Sequence, residues 1–145
     1  MGISLKARAL RMLASREHSP FELRGKLARH SEDEKEIDAV IAWLTECGYL
    51  SEERFTDVFV RMREARHGTM KIVASLKNHR IADKEISKVK AVLKDTELPR
   101  AKALRERRFG EELPKDTNEK ARQMRFLASR GFAFDVIERV FNPRD

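Results

Sequence analysis

GYLSEERFTDVFVRMREARHG, residues 48–68, decides how the rest of the chain is read. Gly48 follows an apolar helical pattern and suits the left-handed residue that ends a helix, with Tyr49 and Leu50 folding back against it. Ser51, Glu52 and Glu53 then supply the cap and the acidic first turn of a new helix. Phe55, Val58, Phe59 and Met62 recur at i, i+3, i+4 and i+7, which gathers them on one face. Arg54, Arg61, Arg63 and Arg66 lie around that stripe, and Gly68 closes the element. The spacing predicts a central helix, buried along one side and turned toward an acidic partner on another.

Upstream, residues 4–16 read as a helix with Leu5, Ala9, Met12 and Leu13 on its apolar side. Ser19, Pro20 and Glu22 give cap, first helical position and capping box for a second helix, which carries Leu23 and Leu27 inward. Ser31 or Asp33 opens a third, with Ile37, Val40, Ile41 and Leu44 as a stripe extended by Trp43. Downstream of Gly68, a helix from near Thr69 places Ile72, Val73 and Leu76 inward. After a turn over 78–81, Asp83 caps another with Ile86, Val89, Val92 and Leu93. Pro99 disfavours helix at Leu98 and starts a helix to about Arg108. Asp116 with Glu119 opens a long helix through Met124 and Leu127 that Gly131 ends. Phe132, Val136, Ile137, Val140 and Phe141 make the last stripe.

Leu27, Leu76 and Leu127 recur with a period of about 50 residues, each followed by an apolar residue, at Ile37, Ile81 and Phe132. The expectation is an all-α chain without β-sheet, built as three tandem three-helix modules at 1–50, 51–95 and 96–145. Such small modules hide little surface alone, so each must lean on the next, in an elongated, curved array.

The chain of 145 residues is 38% charged with a formal net charge of +7, which favours an acidic partner such as nucleic acid. Its single cysteine permits no internal disulfide, and no apolar run reaches membrane-spanning length, so a soluble cytoplasmic protein is expected. Cys47, beside Leu44 and Tyr49, reads as a small core residue. No phosphate-cradling glycine motif and no paired histidines are present, so no cofactor, metal or enzymatic chemistry is expected.

Between Arg61 and Arg80 one carboxylate, Glu64, faces six cations: Arg61, Arg63, Arg66, Lys71, Lys77 and Arg80. This is the leading binding surface, although Asp57 stands four residues before Arg61 and is placed to neutralise it in part. Arg105, Arg107 and Arg108 form a second cluster. Arg122 and Arg125 with Arg130, and Arg24 and Lys26 with Arg29, hold corresponding places on other helices. Trp43, Phe55 and Phe59 read as core rather than base-stacking platforms.

Four pieces, in this order, resemble the RecX family of bacterial regulators of the RecA recombinase: ALRMLASREHSPFELRGKL (Ala9 to Leu27), VIAWLTECGYLSEERF (Val40 to Phe55), the stretch from Gly68 to Ile81 with Ile72 and Leu76, and RQMRFLASRGFAFDVIERVF (Arg122 to Phe141). The resemblance covers nearly the whole chain and implies three tandem three-helix modules. It also implies binding in the groove of the RecA–DNA filament, with inhibition of ATPase, strand exchange and co-protease activity. The partners expected are therefore RecA filament and, weakly and without sequence preference, DNA, with a monomeric protein, no membrane and no enzyme activity. Two positions depart from the family's pattern. Ser51 and Glu52 stand where an acidic pair is usual, and Arg80 where a glycine usually precedes Ile81, which bears on the shape of that turn. The rival reading is a DNA-binding helical module, with the two helices between Thr69 and Leu93 acting as a helix-turn-helix and Lys71, Ser75 and Asn78 reaching base edges. An inert helical scaffold is a third.

Overall fold

The computed structural model describes residues 2–143, so Met1, Arg144 and Asp145, and with them the outer limits of the first and last expected modules, lie outside the described residues. The described elements are α1 (Leu5–Ser15), α2 (Pro20–Leu27), α3 (Glu34–Glu46), α4 (Glu52–Arg63), α5 (Thr69–Asn78), α6 (Asp83–Lys94), α7 (Glu97–Phe109), α8 (Thr117–Ser129) and α9 (Phe134–Phe141). Among the described residues there is no strand, as the apolar periodicity requires. The six residues of the repeat, Leu27, Leu76 and Leu127 with Ile37, Ile81 and Phe132, are all buried. Two units pack separately: one holds the residues up to Phe59 with His79–Ile81, the other Val60–Asn78 and the residues from Ala82 onward.

In the first unit Leu5, Ala9, Leu23, Leu27, Ile37, Val40, Leu44 and Leu50 form the core, with Met12, Leu13, Ile41 and Trp43 packed against it. Burying a side chain of this size stabilises by roughly 1.5–3 kcal/mol, and the helix ends are tied by side chains. The Ser19 hydroxyl accepts the Glu22 N–H at 3.1 Å, and Asp33 caps α3 by accepting from Lys35 N and Glu36 N. The capping box of α2 is half made. The Glu22 carboxylate turns to the Arg16 guanidinium, because a charge-assisted pair is stronger than a bond to a neutral N–H. At the end of α3, Gly48 has φ +81° and Tyr49 N donates to Leu44 O at 2.9 Å. Leu50 is buried as expected, but Tyr49 and Cys47 are exposed. Cys47 is therefore not a core residue: the stripe of Ile37, Val40 and Leu44 continues with its next turn at Leu50, reached only after the backbone reverses.

Along α4, Phe55, Thr56 and Phe59 are buried, while Met62 is 66% exposed. The inward face is rotated toward Thr56, so its last turn carries half-buried Arg63 inward instead of Met62. The same geometry puts Val92 outside: Ile86, Val89 and Leu93 are buried on α6, and a residue six positions after Ile86 lies well off that face.

In the second unit the core holds Ala101, Leu104, Leu127, Phe132, Ile137, Val140 and Phe141. Helix α7 starts at Glu97, two residues before Pro99, so Leu98 is helical. A proline in the first turn lacks only an N–H that has no partner there. Helix α6 is capped at Ala82 without a side-chain bond, and Asp83 is its first helical residue. Asp116 caps α8 by accepting from Asn118 N at 2.9 Å.

The end of α8 meets the start of α5 backbone to backbone. Gly68 N donates to Arg130 O at 2.7 Å and Met70 N to Gly131 O at 3.2 Å. The carbonyls left over at one helix end thus satisfy the amides left over at another. Both glycines are required by the approach: a Cβ on Gly68 would overlap the Gly131 backbone, and one on Gly131, which has φ +91°, would overlap Lys71. Gly68 is thus a point of helix contact rather than a simple helix end.

Candidate functional site

The cation-rich segment is divided between the units. Arg61, Arg63, Arg66, Lys71 and Lys77 belong to the second, on the last turn of α4, the connection after it and α5, whereas Arg80 belongs to the first. Arg61, Arg66, Lys71 and Lys77 are exposed. Among the described residues none of these four makes an ion pair, and Asp57 does not pair with Arg61. Arg63 differs from them: it is half-buried, and desolvation lowers its pKa. The local positive field also acts on His67, whose pKa is lowered by burial first and then by Lys71, Arg130, Arg63 and Arg66.

What holds this cationic segment in shape is a buried ion pair that the sequence reading passed over. Arg100 and Glu97 meet at 2.6 Å, with side chains 11% and 8% exposed. Arg100 donates to Glu64 O at 2.9 Å and His67 O at 2.8 Å, clasping the chain beyond α4. The Glu97 carboxylate accepts from Thr69 N at 3.2 Å and from the Thr69 hydroxyl, so it caps α5 from another helix. Arg107 adds a bond to Ala65 O. Cations at the carbonyl end of one helix and a carboxylate at the amide end of the next both complement the helix dipoles. The i, i+3 spacing of Glu97 and Arg100 was visible in the sequence, but its inward direction was not.

The second cluster is not a cluster of free cations. Arg105 is 2% exposed and is a structural residue: its guanidinium bonds Gln123 Oε1 at 3.2 Å and Glu111 O at 3.1 Å. A side chain committed to the interior cannot reach a ligand, so Arg105 is not the partner contact that the sequence suggests. Ala101 and Leu104, four and one residues before it, carried the signal, since they put Arg105 on the inward face. Arg108 stays exposed and stacks on Phe126, its guanidinium 5.2 Å from the ring centre.

On α8, Arg122 is paired with Glu119 at 2.7 Å. Hydrogen bonds from Arg122 and Gln123 lower the Glu119 pKa to about 2, and Arg122 is raised in turn by Glu119. Arg125 is exposed and among the described residues makes no ion pair, while Arg130 lies 5.0 Å from the Phe126 ring.

In the first unit Arg24 pairs with Asp38, and Arg29 is exposed. Lys26 donates to His18 Nε2 at 2.9 Å and lies 3.8 Å from Glu22. His18 is 1% exposed and its Nδ1 bonds Arg16 O at 3.0 Å. A ring nitrogen that accepts from an ammonium group must be unprotonated, which fits a His18 pKa lowered chiefly by desolvation. Lys26 is therefore part of a local network. His79 bonds the Ser19 hydroxyl at 2.8 Å and packs on the rings of Phe55 and Phe59, which keeps those phenylalanines in the core as expected. Arg80 takes up φ +56° and lays its guanidinium 4.8 Å from the Phe21 ring. The turn thus keeps the left-handed shape a glycine would give. The strain is about 1–2 kcal/mol, offset in part by a cation–π contact of about 0.5–1 kcal/mol.

Among the described residues no group of His, Cys, Asp or Glu is placed to hold a metal ion, and no helix is long and apolar enough to cross a membrane. Residues 6–44 match the family model described as RecX, first three-helix domain, and residues 95–141 that of RecX, third three-helix domain. The chain is similar to the Regulatory protein RecX of Ralstonia pickettii, 44% identical over 99% of this chain and 89% of that one. It is 40% identical to that of Herminiimonas arsenicoxydans over 99% of this chain and 94% of that one. Its fold matches a crystal structure of RecX from Lactobacillus salivarius with a TM-score of 0.80, 17% identity and coverage of 95% of this chain and 92% of that one. The chain belongs to the RecX family of regulatory proteins.

Proposed function

We propose that this protein regulates the RecA recombinase in the cytoplasm, binding as a monomer in the groove of the RecA–DNA filament. There it inhibits ATPase, strand exchange and co-protease activity, and so modulates recombination and DNA repair without catalysing a reaction itself. The observation that carries the reading is the set of exposed cations without ion pairs among the described residues, Arg61, Arg66, Lys71 and Lys77, on a chain of the RecX family. Unpaired surface cations keep their full attraction for phosphate or carboxylate, whereas Arg24 and Arg122 have theirs neutralised at close range. The three-module organisation, at 1–50, 51–95 and 96–145, belongs to this proposal: a chain of modules touches neighbouring recombinase subunits and restricts the motions that couple ATP hydrolysis to strand exchange. DNA contacts in this reading are weak, indifferent to sequence and steeply salt-dependent.

The test is ATPase inhibition and co-sedimentation with preassembled RecA filament, comparing the native chain with an R61E/R66E/K71E variant of unchanged helicity. The native chain is expected to inhibit at or below stoichiometric ratio, and the variant to need at least tenfold more protein. No inhibition by the native chain at any ratio would refute the regulator reading. Full suppression by the variant would refute the surface. Strong preference for one duplex sequence would favour a helix-turn-helix reader instead.

A further inference from the structure

The second unit holds an open groove that shares Lys77 with the proposed filament-binding surface but is otherwise lined by other residues. Its volume is about 570 Å³, inside the usual range of roughly 300–1,000 Å³ for binding clefts. Met70 and Val73 of α5 and Val136 of α9 give it an apolar floor, and the side chains of Lys77, Lys90 and Lys94 stand along it. Met70 is 63% exposed although its neighbour Val73 is buried, so a flexible apolar side chain lies open to solvent over a rigid base. Methionine in that position adapts its shape to whatever covers it.

The charges around this floor are lopsided. Among the described residues none of the three lysines has an ion pair. The Glu97 carboxylate borders the groove but is already bound by Arg100 and Thr69, so it adds no free negative charge. Asp135 is the one exposed carboxylate in the lining. Three free cations thus face one free anion across an apolar trough. A single-stranded nucleic acid would also bring anionic charge, but among the described residues lining the groove there is no aromatic face on which its bases would stack, whereas the apolar floor suits an aliphatic side chain.

We propose that this groove docks an acidic amphipathic helix of a partner protein. The helix sets an aliphatic side chain against Met70, Val73 and Val136 and places its flanking carboxylates on Lys77, Lys90 and Lys94. This is the helix-in-groove mode of recognition, with anchors at helical spacing and charge fixing the direction. The inference goes beyond the proposed function, because it holds whichever protein carries that helix.

The full chain, labelled with 13C at its methionine methyls, supplies the test, since exposed Met62 lies outside the groove lining and serves as an internal control. The probes are a capped helical peptide with leucines at i, i+3, i+4 and i+7 and glutamates on its flanks, the same peptide with lysine for glutamate, and a short oligothymidylate. The acidic peptide is expected to shift the Met70 methyl saturably and leave Met62 in place. K90Q/K94Q is expected to weaken that binding at least tenfold at low salt, with helicity unchanged. Absence of a Met70 shift with the acidic peptide, or equal shifts with the lysine peptide, would overturn the proposal. Occupation by oligothymidylate in its place would assign the groove to nucleic acid. Because K90Q/K94Q leaves Arg61, Arg66 and Lys71 intact, loss of the groove and loss of filament inhibition are read separately.

Discussion

Replacing Gly68 by alanine adds one methyl group where the start of α5 meets the end of α8 backbone to backbone. That Cβ would lie 2.5 Å from Phe132 N and still closer to the Gly131 carbonyl group. All of these are backbone atoms, so no side chain can swing aside, and relief requires the end of α8 to retreat from α5 by roughly 1 Å to reach ordinary carbon contact. The retreat breaks Gly68 N to Arg130 O and Met70 N to Gly131 O. Each donor left without a partner costs about 1–3 kcal/mol, so with two donors lost G68A is expected to destabilise the second unit by about 2–6 kcal/mol. Gly25 is the control: it lies inside α2 with nothing within 4 Å of its added Cβ. G25A should therefore stabilise by about 0.5–1 kcal/mol from helix propensity. Amide exchange at Leu127 and Phe132, which reports the second unit by itself, and urea unfolding followed at 222 nm measure the two effects. A G68A chain within 0.5 kcal/mol of the native one, on the scale of ordinary surface substitutions, would refute the argument that the two helix ends touch through backbone alone.

R100M removes the cation from a buried pair and leaves the Glu97 carboxylate without its guanidinium; a loss of about 3–5 kcal/mol is expected in urea unfolding, and a loss below 1 kcal/mol would mean that water replaces it. His18 and His67 are both held below their ordinary pKa. The unfolded chain therefore takes up protons first, near pH 6.5. Stability should be level above about pH 7.5 and fall as pH drops through 6.5 toward the folded values, and H18Q should flatten that slope in a urea midpoint series. At Arg80, glycine removes the strain together with the Phe21 contact, so R80G should stay within about 1 kcal/mol of the native chain. R80V, which keeps the strain and adds a branch at Cβ, should lose about 1–3 kcal/mol; equal stability of the two in thermal melts would contradict the left-handed turn.

The all-α fold was legible because apolar residues recur at helical spacing and the caps are local. Ser19, Asp33, Asp116 and Gly48 act within a few residues of themselves, so their neighbours in the chain determine what they do. The same holds for the buried leucines of the repeat. Legibility failed where a side chain chose between local and distant partners. Glu22 was placed to complete a capping box and turned instead to Arg16, and Glu119, expected to open α8 with Asp116, pairs with Arg122. Met62, Val92 and Cys47 looked apolar enough for the interior, yet the rotation of their helices left them outside.

The sequence by itself determined the helices, their inward stripes and an excess of cations on a chain of this family, since each follows from spacing and composition. Only tertiary structure decided which cations are available. Arg105, Arg107 and Arg61 have the same chemistry in the chain, but the first is buried on Gln123, the second bonds Ala65 O, and the third is left unpaired in solvent. A guanidinium is drawn to any carbonyl or carboxylate that folding brings near it, and that proximity depends on residues far away in sequence.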